Sequence, residues 1–242
     1  MKHEILDYAK VRAYLGRNFL CRVATGEKRV AITFDDGPNP VHTVKILEMC
    51  ERKGIRATFF LVGRRVRRYP EIAARIVEAG HDIGNHTDRH VPLSILPPPM
   101  IRRELAVTHD LVVRATGKAP AFFRPPMGWF NGVVVREAVR MGYLPVIGSI
   151  HPHDSRRPGA DEIAGHVLSR IEPGAIIILH DGGWRIGSDR SQTVRAADRI
   201  TSELVDQGYR FETLSELAGA AGGSAVIRER SEAAPDSVPA RT

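Results

Sequence analysis

Short runs of consecutive apolar residues alternate along this chain with longer stretches in which apolar positions recur every three or four residues. The runs at 29–34, 57–62, 82–85, 121–123, 144–149, 175–179 and 209–213, taken together rich in Val, Ile and Phe, read as strands. The stretches at 41–53, 65–79, 100–116, 132–141, 161–171 and 193–207 carry the helical period. In the last of them Val194, Ala197, Ile200, Leu204 and Val205 share a face, which predicts that this face is buried. Gly54, Gly80, Gly142 and Gly208 each follow the last periodic residue of a helix, where a left-handed cap is wanted. Strand and helix alternating in this way predict an α/β protein with a parallel sheet. Seven such units favour a parallel (β/α) barrel, complete or one strand short, over an open doubly wound sheet. The pattern predicts one domain over 29–217, preceded by an N-terminal extension at 1–28. After Leu217 the chain turns to Ala, Gly, Ser, Pro and charge, so 218–242 is expected to be a disordered tail.

Composition changes this picture little. The 242 residues are 43% hydrophobic and 26% charged, ordinary values for a protein with one substantial core. Cys21 and Cys50 are too few for a disulfide framework or a zinc cluster and are expected to be reduced thiols. Residues 1–28 lack the apolar run and small residues of a secretory signal, and no stretch has the length of a membrane span; the cytoplasm is the expected compartment. The net charge of +7 and the run Arg64, Arg65, Arg67, Arg68 raise the idea of a nucleic-acid partner. That run opens a helical pattern with no nucleic-acid module around it. A solvated face, or one turned to an anionic glycan, explains it equally well, and no nucleic acid is expected.

Polar residues recur where strands end. Asp35 and Asp36 close the first strand, His86 the third and Arg124 the fourth; Asp154 follows the fifth and His180 ends the sixth. In a parallel barrel these ends lie on one face, so the residues converge. Thr33-Phe-Asp-Asp-Gly37 suits a plain turn or a helix cap, but two adjacent carboxylates also let one bind a cation while the other stays free as a base. His86-Thr-Asp-Arg-His90 sets two imidazoles four residues apart, on one face if the stretch is helical. An isolated pair of this spacing also describes core or surface histidines. With Asp36 it makes two nitrogens and one carboxylate, a facial set that leaves positions open for water and substrate. Arg124 precedes the stiff pair Pro125-Pro126, either aiming its guanidinium at a carboxylate or sitting at the surface before a loop. Asp154 is either a turn residue or a buried partner opposite Arg124 that orients the guanidinium and tunes a neighbouring base. His180 ends the wholly apolar run Ile176-Ile-Ile-Leu, a setting suited to an acid near neutral pH.

At these segments the chain resembles the polysaccharide deacetylases, the family 4 carbohydrate esterases, whose domain is named after the nodulation-factor deacetylases. The resemblance runs from about Val30 to Leu217 and rests on an ordered set of motifs. These are Thr33-Phe-Asp-Asp-Gly37, Gly84-Asn-His-Thr-Asp-Arg-His90, Arg124-Pro-Pro126, the Asp154 loop, Leu179-His-Asp-Gly-Gly183 and Arg190-Ser-Gln-Thr193. It implies an irregular seven-stranded (β/α) barrel. It implies Asp35 as general base, Asp36, His86 and His90 as ligands of a divalent metal, Arg124 and Asp154 as the pair tuning the base, and His180 as general acid. By the same resemblance the main-chain N–H of Met127 helps hold the oxyanion, and Ile178 lines the pocket for the acetyl methyl. Zinc is the first expectation for the ligand set, with cobalt, nickel, manganese or iron able to occupy it.

The chain departs from the family pattern in two places. Met127 stands where an aromatic residue is usual after the Pro-Pro pair, and His151-Pro-His-Asp154-Ser155 lacks the first Asp and the Trp of D-x-x-D-W. The groove is therefore less aromatic, with Trp129 and Trp184 in adjacent loops as substitutes for stacking on sugar rings. His151 and His153 read as groove or loop residues rather than further ligands. The expected activity is metal-dependent removal of N-acetyl groups from an acetylated carbohydrate, an oligosaccharide or glycan containing N-acetylglucosamine. The alternatives are an O-acetyl carbohydrate esterase or other amide hydrolase on the same metal site, and a glycan-binding protein without catalysis. The presence of both Asp35 and His180 argues against the last.

Overall fold

The computed structural model describes residues 19–183, 185 and 187–219; residues 1–18, 220–242 and Trp184, named above, lie outside the described residues. Seven strands form the sheet: β1 (Arg29–Gly37), β2 (Thr58–Leu61), β3 (Asp82–Asn85), β4 (Phe122–Phe123), β5 (Leu144–Pro145), β6 (Ile176–His180) and β7 (Arg210–Phe211). Their order is β5-β4-β3-β2-β1-β6, with β7 paired to the start of β1, and every pairing is parallel. The helices are α1 (His42–Lys53), α2 (Gly63–Arg68), α3 (Pro70–Glu78), α4 (Pro98–Thr116), α5 (Gly132–Arg140), α6 (Ala160–Leu168), α7 (Ser191–Asp206) and α8 (Leu214–Gly219). Among the described residues no helix is long and apolar enough to cross a membrane. Cys50 is a buried free thiol.

Strand periodicity sorts the core into an outer and an inner layer. Val30, Ile32 and Phe34 of β1 face outward and pack with Ile46 of α1, Ile163 of α6 and Ile200 of α7. Ala31 faces inward among Phe60, Phe122 and Ile176. The same alternation turns Thr33 and Asp35 inward on β1, and Ile178 and His180 inward on β6. The register sets these side by side, Thr33 with Ile178 and Asp35 with His180. Apolar residues thus fill the lower barrel and polar ones its carboxyl-end mouth. Leu214 and Leu217 of α8 plug the opposite end, and the Leu214 N–H donates to Thr58 Oγ1 at 3.0 Å.

Several elements differ from their sequence pattern for identifiable reasons. The helix expected over 65–79 is two, α2 and α3, because Pro70 disfavours helical geometry at Tyr69 (φ −135°, ψ 56°) and starts a new helix at its own position. The strand expected over 144–149 stops at Pro145, which has no N–H to donate, and Gly148 then turns the chain at φ 83°. On α7 the buried face is Ala197, Ile200 and Leu204, whereas Val205 is 44% exposed, since adjacent helical residues lie about 100° apart. The four capping glycines adopt the expected positive φ, between 61° and 85°. Gly219 ends α8, so the first two residues of the expected tail belong to a helix.

Residues 19–23, placed by pattern in the N-terminal extension, belong to the core: Phe19, Leu20 and Val23 are buried. They close the barrel where β5 and β6 do not pair directly. Leu20 N donates to Pro145 O at 2.8 Å, Ile147 N to Leu20 O at 3.1 Å, and Val23 N to Gly174 O at 3.0 Å. Further up, Ser149 N donates to Ile176 O at 2.9 Å and Ile178 N to Ile150 O at 2.9 Å, which completes the ring. Leu20 is fully buried at this seam, so Leu20→Ala is expected to cost about 2–5 kcal/mol. Val41→Ala, at a position 49% exposed, is expected to change stability by less than about 0.5 kcal/mol. Equal effects of the two in urea denaturation would show that 19–23 is not part of the folded unit.

Candidate active site

The mouth of the barrel is built on a turn at the end of β1. Asp36 adopts φ 75°, a region that Asp tolerates better than most residues, and this swings its carboxylate away from that of Asp35. The neighbouring Gly37 has no room for a side chain, because a Cβ there would lie 2.5 Å from Asp181 Oδ2. Adjacent carboxylates thereby enter different environments.

Asp36 meets two imidazoles. Its Oδ1 lies 2.9 Å from His90 Nε2 and 3.5 Å from His86 Nε2. One ligand atom from each of the three residues falls within 4.8 Å of the others. The stretch 86–90 is not the helical turn that the spacing suggested: Thr87 and His90 have φ of 66° and 57°, and a bent loop brings the rings together. Asn85 Oδ1 accepts the Thr87 N–H at 2.9 Å, and Thr87 Oγ1 accepts the His90 N–H at 3.1 Å. His86 Nδ1 is 2.7 Å from the Arg124 carbonyl, which only accepts, so Nδ1 carries the proton and Nε2 offers a lone pair toward Asp36. Asp36 Oδ1 is buried without a hydrogen-bond partner among the described residues. A lone pair left bare beside imidazole nitrogens fits a bound cation. Two nitrogens and one oxygen suit a borderline divalent ion and leave open positions. Burial works against ionising Asp36, but the two histidines outweigh it and hold the carboxyl well below its ordinary range.

Asp35 belongs to Arg124. Arg124 Nη1 donates to Asp35 Oδ1 at 2.6 Å and to Thr33 Oγ1 at 2.7 Å, and its guanidinium lies over the Phe60 ring, 4.0 Å from the centroid. Thr33 gives its own proton to the Ile177 carbonyl at 2.7 Å, which leaves its lone pair for Arg124. The guanidinium is only 3% exposed and held on several sides, so Asp35 is fixed in place.

Asp154 does not stand opposite Arg124 as the sequence reading had it. Its Oδ1 is 2.7 Å from His180 Nδ1, and its Oδ2 accepts the His180 N–H at 2.9 Å and the Thr193 hydroxyl at 2.8 Å. With those bonds made, it is the histidine rather than the arginine that Asp154 orients. Burial alone would lower the His180 value, but Asp154 first, then Asp36 and Asp35, raise it to about 9. Asp154 is held below its ordinary value, the charge of His180 outweighing burial. Ile178, one inward position before His180, is 7% exposed and packs beneath Gly148. Met127 follows Pro126 in a tight turn at φ 59°, its side chain exposed. His151 is half-buried and His153 exposed.

Sequence reasoning passed over a supporting layer. Asp181 is fully buried; Thr43 Oγ1 donates to its Oδ2, and burial raises its carboxyl to about 7. Arg65, read as one of four cations on a solvated run, is 2% exposed, donates to the Gly183 carbonyl and faces Asp36 and Asp181. The run therefore does not present four cations on one surface. Arg190 donates to the carbonyls of Gly182 and Ser155, and Gln192 to that of Asp154 at 3.3 Å. The signals were available: Asp181 and Arg190-Ser-Gln-Thr193 lie within the motifs, but nothing in their spacing indicates which strand end they brace.

Fold and site together define a metal-dependent hydrolase. Residues 22–146 match the family model described as polysaccharide deacetylase. The chain is 41% identical over 197 residues to a peptidoglycan-N-acetylglucosamine deacetylase of Bacillus cereus, covering 81% of this chain and 90% of that one. The crystal structure of a peptidoglycan N-acetylglucosamine deacetylase in complex with an N-hydroxybenzamide superposes with a TM-score of 0.79 at 32% identity, covering 86% of this chain and 96% of that one. A family 4 carbohydrate esterase pseudoenzyme from Bacillus anthracis superposes with a TM-score of 0.75 at 30% identity, covering 82% and 68%. The chain belongs to the polysaccharide deacetylase family, and its barrel is the family's fold.

The His180–Asp154 pair makes stability depend on pH. Because the folded value of His180, about 9, lies above the ordinary 6.5, the pair's contribution is fully present below about pH 6.5 and is lost as pH rises through 9. In the metal-free protein, the stability gap between the parent and Asp154→Asn is expected to narrow across that window. A gap of constant size in denaturation curves from pH 6 to pH 10 would contradict the pairing.

Proposed function

We propose that this protein hydrolyses the N-acetyl group of N-acetylglucosamine units in an oligosaccharide or glycan, with zinc held by Asp36, His86 and His90. The observation that carries this reading is the placement of Asp35 and His180 as register partners at the mouth of the barrel, each held by its own partner beside the metal set. The nature of the substrate is supported by the 41% identical relative, whose name specifies peptidoglycan N-acetylglucosamine.

When bound, a divalent ion supplies Lewis-acid polarisation of the acetyl carbonyl and acidifies water. Asp35, its carboxylate fixed by Arg124, takes the proton from the attacking water. His180, protonated at neutral pH and tied through Nδ1 to Asp154, has its Nε2 proton to give to the leaving sugar amine as acetate departs. We assign a share of the oxyanion charge to the Met127 N–H, whose tight turn follows directly from Arg124. Ile178, apolar and inward beneath His180, receives the acetyl methyl. Trp129, 57% exposed near Met127 in the chain, offers a ring face to a neighbouring sugar in a groove where Met127 and Ser155 offer none.

Zinc-loaded protein is expected to release acetate from chitopentaose or peptidoglycan fragments. Asp35→Asn and His180→Asn are each expected to lower kcat about 10²–10⁴-fold while retaining zinc, whereas Asp36→Ala loses the metal. Failure to release acetate from these glycans with any of zinc, cobalt, nickel, manganese or iron would overturn the proposal. Faster release from O-acetylated xylan than from N-acetylated sugars would replace it with an esterase reading.

A further inference from the structure

A second set of metal-type ligand atoms converges beside the catalytic groups. One nitrogen of His151, one of His180 and a carboxylate oxygen of Asp154 lie within 4.8 Å of one another, the same limit that bounds Asp36, His86 and His90. His151 Nε2 is buried and has no hydrogen-bond partner among the described residues, although the residue as a whole keeps some exposure. Its ring centroid is 5.9 Å from that of His180. Burial, and after it the charge of His180, pushes the His151 value down to about 4, so one of its ring nitrogens bears a lone pair at neutral pH. Asp154 Oδ2 is occupied twice, but Oδ1 accepts only the His180 Nδ1 proton, which leaves a lone pair on an ionised oxygen.

We propose that His151, Asp154 and His180 form a second, inhibitory site for a borderline divalent ion such as zinc, filled when the metal is in excess. Two imidazoles and a carboxylate favour zinc, nickel or copper over magnesium or calcium. The ion replaces a proton. His180 Nδ1 releases its hydrogen to water, the 2.7 Å hydrogen bond to Asp154 Oδ1 is broken, and metal–nitrogen and metal–oxygen bonds take its place with no change in oxidation state. Breaking that 2.7 Å bond is a cost of binding here, and it makes this site the weaker of the two. With Nδ1 on the metal, Nε2 keeps its hydrogen, but giving it up would leave a metal-bound imidazolate instead of a neutral imidazole, so the acid that serves the leaving amine is weakened. This consequence rests on the role proposed above for His180; the binding itself does not.

The test is a zinc titration of metal-free parent, His151→Asn and Asp36→Ala proteins by equilibrium dialysis, paired with acetate release from chitopentaose. The parent is expected to bind two ions in separate steps and to lose activity during the second. His151→Asn is expected to bind one ion and hold its activity at excess zinc, and Asp36→Ala to keep the weaker ion. A parent that binds a single ion, or a second ion and loss of activity that persist unchanged in His151→Asn, would overturn the proposal. If no acetate is released at all, the reaction is misassigned, and the number of ions bound still decides the second site.

Discussion

Four carboxylates are withdrawn from water at one end of this barrel, and the cost of burying charge shapes everything around them. An ionised carboxylate without a partner in such a place costs several kcal/mol or more, so each requires its own means of neutralisation. Asp35 has the guanidinium of Arg124, and Asp154 has His180 and Thr193. Asp36 has two imidazoles and room for a cation. Asp181 has the Thr43 hydroxyl on one oxygen and, among the described residues, no hydrogen bond on the other, and burial drives it toward holding a proton near neutral pH. One residue type thus takes on four characters within a single site. The backbone makes this possible: the positive φ at Asp36 sends two sequence neighbours to different partners.

Much of the fold was legible because its signals are local. The apolar runs of β1 and β6 are read from consecutive residues, and each capping glycine sits next to the helix it ends. The misreadings came where a distant residue decides the outcome. Nothing within 19–23 announces that Leu20 bonds the Pro145 carbonyl, because the gap it fills is created by a proline more than a hundred positions away. At the site, residue types and strand-end positions were sufficient to collect Asp35, Asp36, His86, His90, Arg124 and His180. Pairing was harder. Asp154 lies five positions beyond the end of the strand expected over 144–149, past the bend at Gly148, and only the closed ring shows that it meets β6 rather than Arg124. Arg65 was taken for a surface cation because it belongs to the basic run Arg64, Arg65, Arg67, Arg68; Arg67 and Arg68 are exposed, yet helix geometry turns Arg65 inward.

The family contains a pseudoenzyme of the same fold, so the barrel alone does not carry the chemistry. Around Asp35, His86 and Asp154 this chain also carries a supporting set of hydrogen bonds. Thr33 prepares the acceptor for Arg124, the Arg124 carbonyl sets the tautomer of His86, and Thr193 holds the oxygen of Asp154 that His180 does not take. Arg124 therefore serves both halves of the site, its side chain fixing Asp35 and its main chain fixing a metal-type ligand. A substitution that changes only its side chain acts on the first of these and leaves the second in place.

The seam at residues 19–23 and 146–150 gives the barrel a grain. Around the Asp36, His86 and His90 set, β1, β2 and β3 pair directly as parallel neighbours, with one register shift between Asp35 and Gly37. On the other side the wall is a few hydrogen bonds from an inserted segment and a bent loop that leads directly to His151 and Asp154. Segments held by few backbone bonds open locally at lower free energy than core strands. The wall beside His151 and Asp154 is thus expected to open more readily than the strands that carry Asp36 and His86. Changes of sequence in the seam can therefore alter the mobility of the His151 and Asp154 loop while the strands that carry Asp36 and His86 keep their pairing.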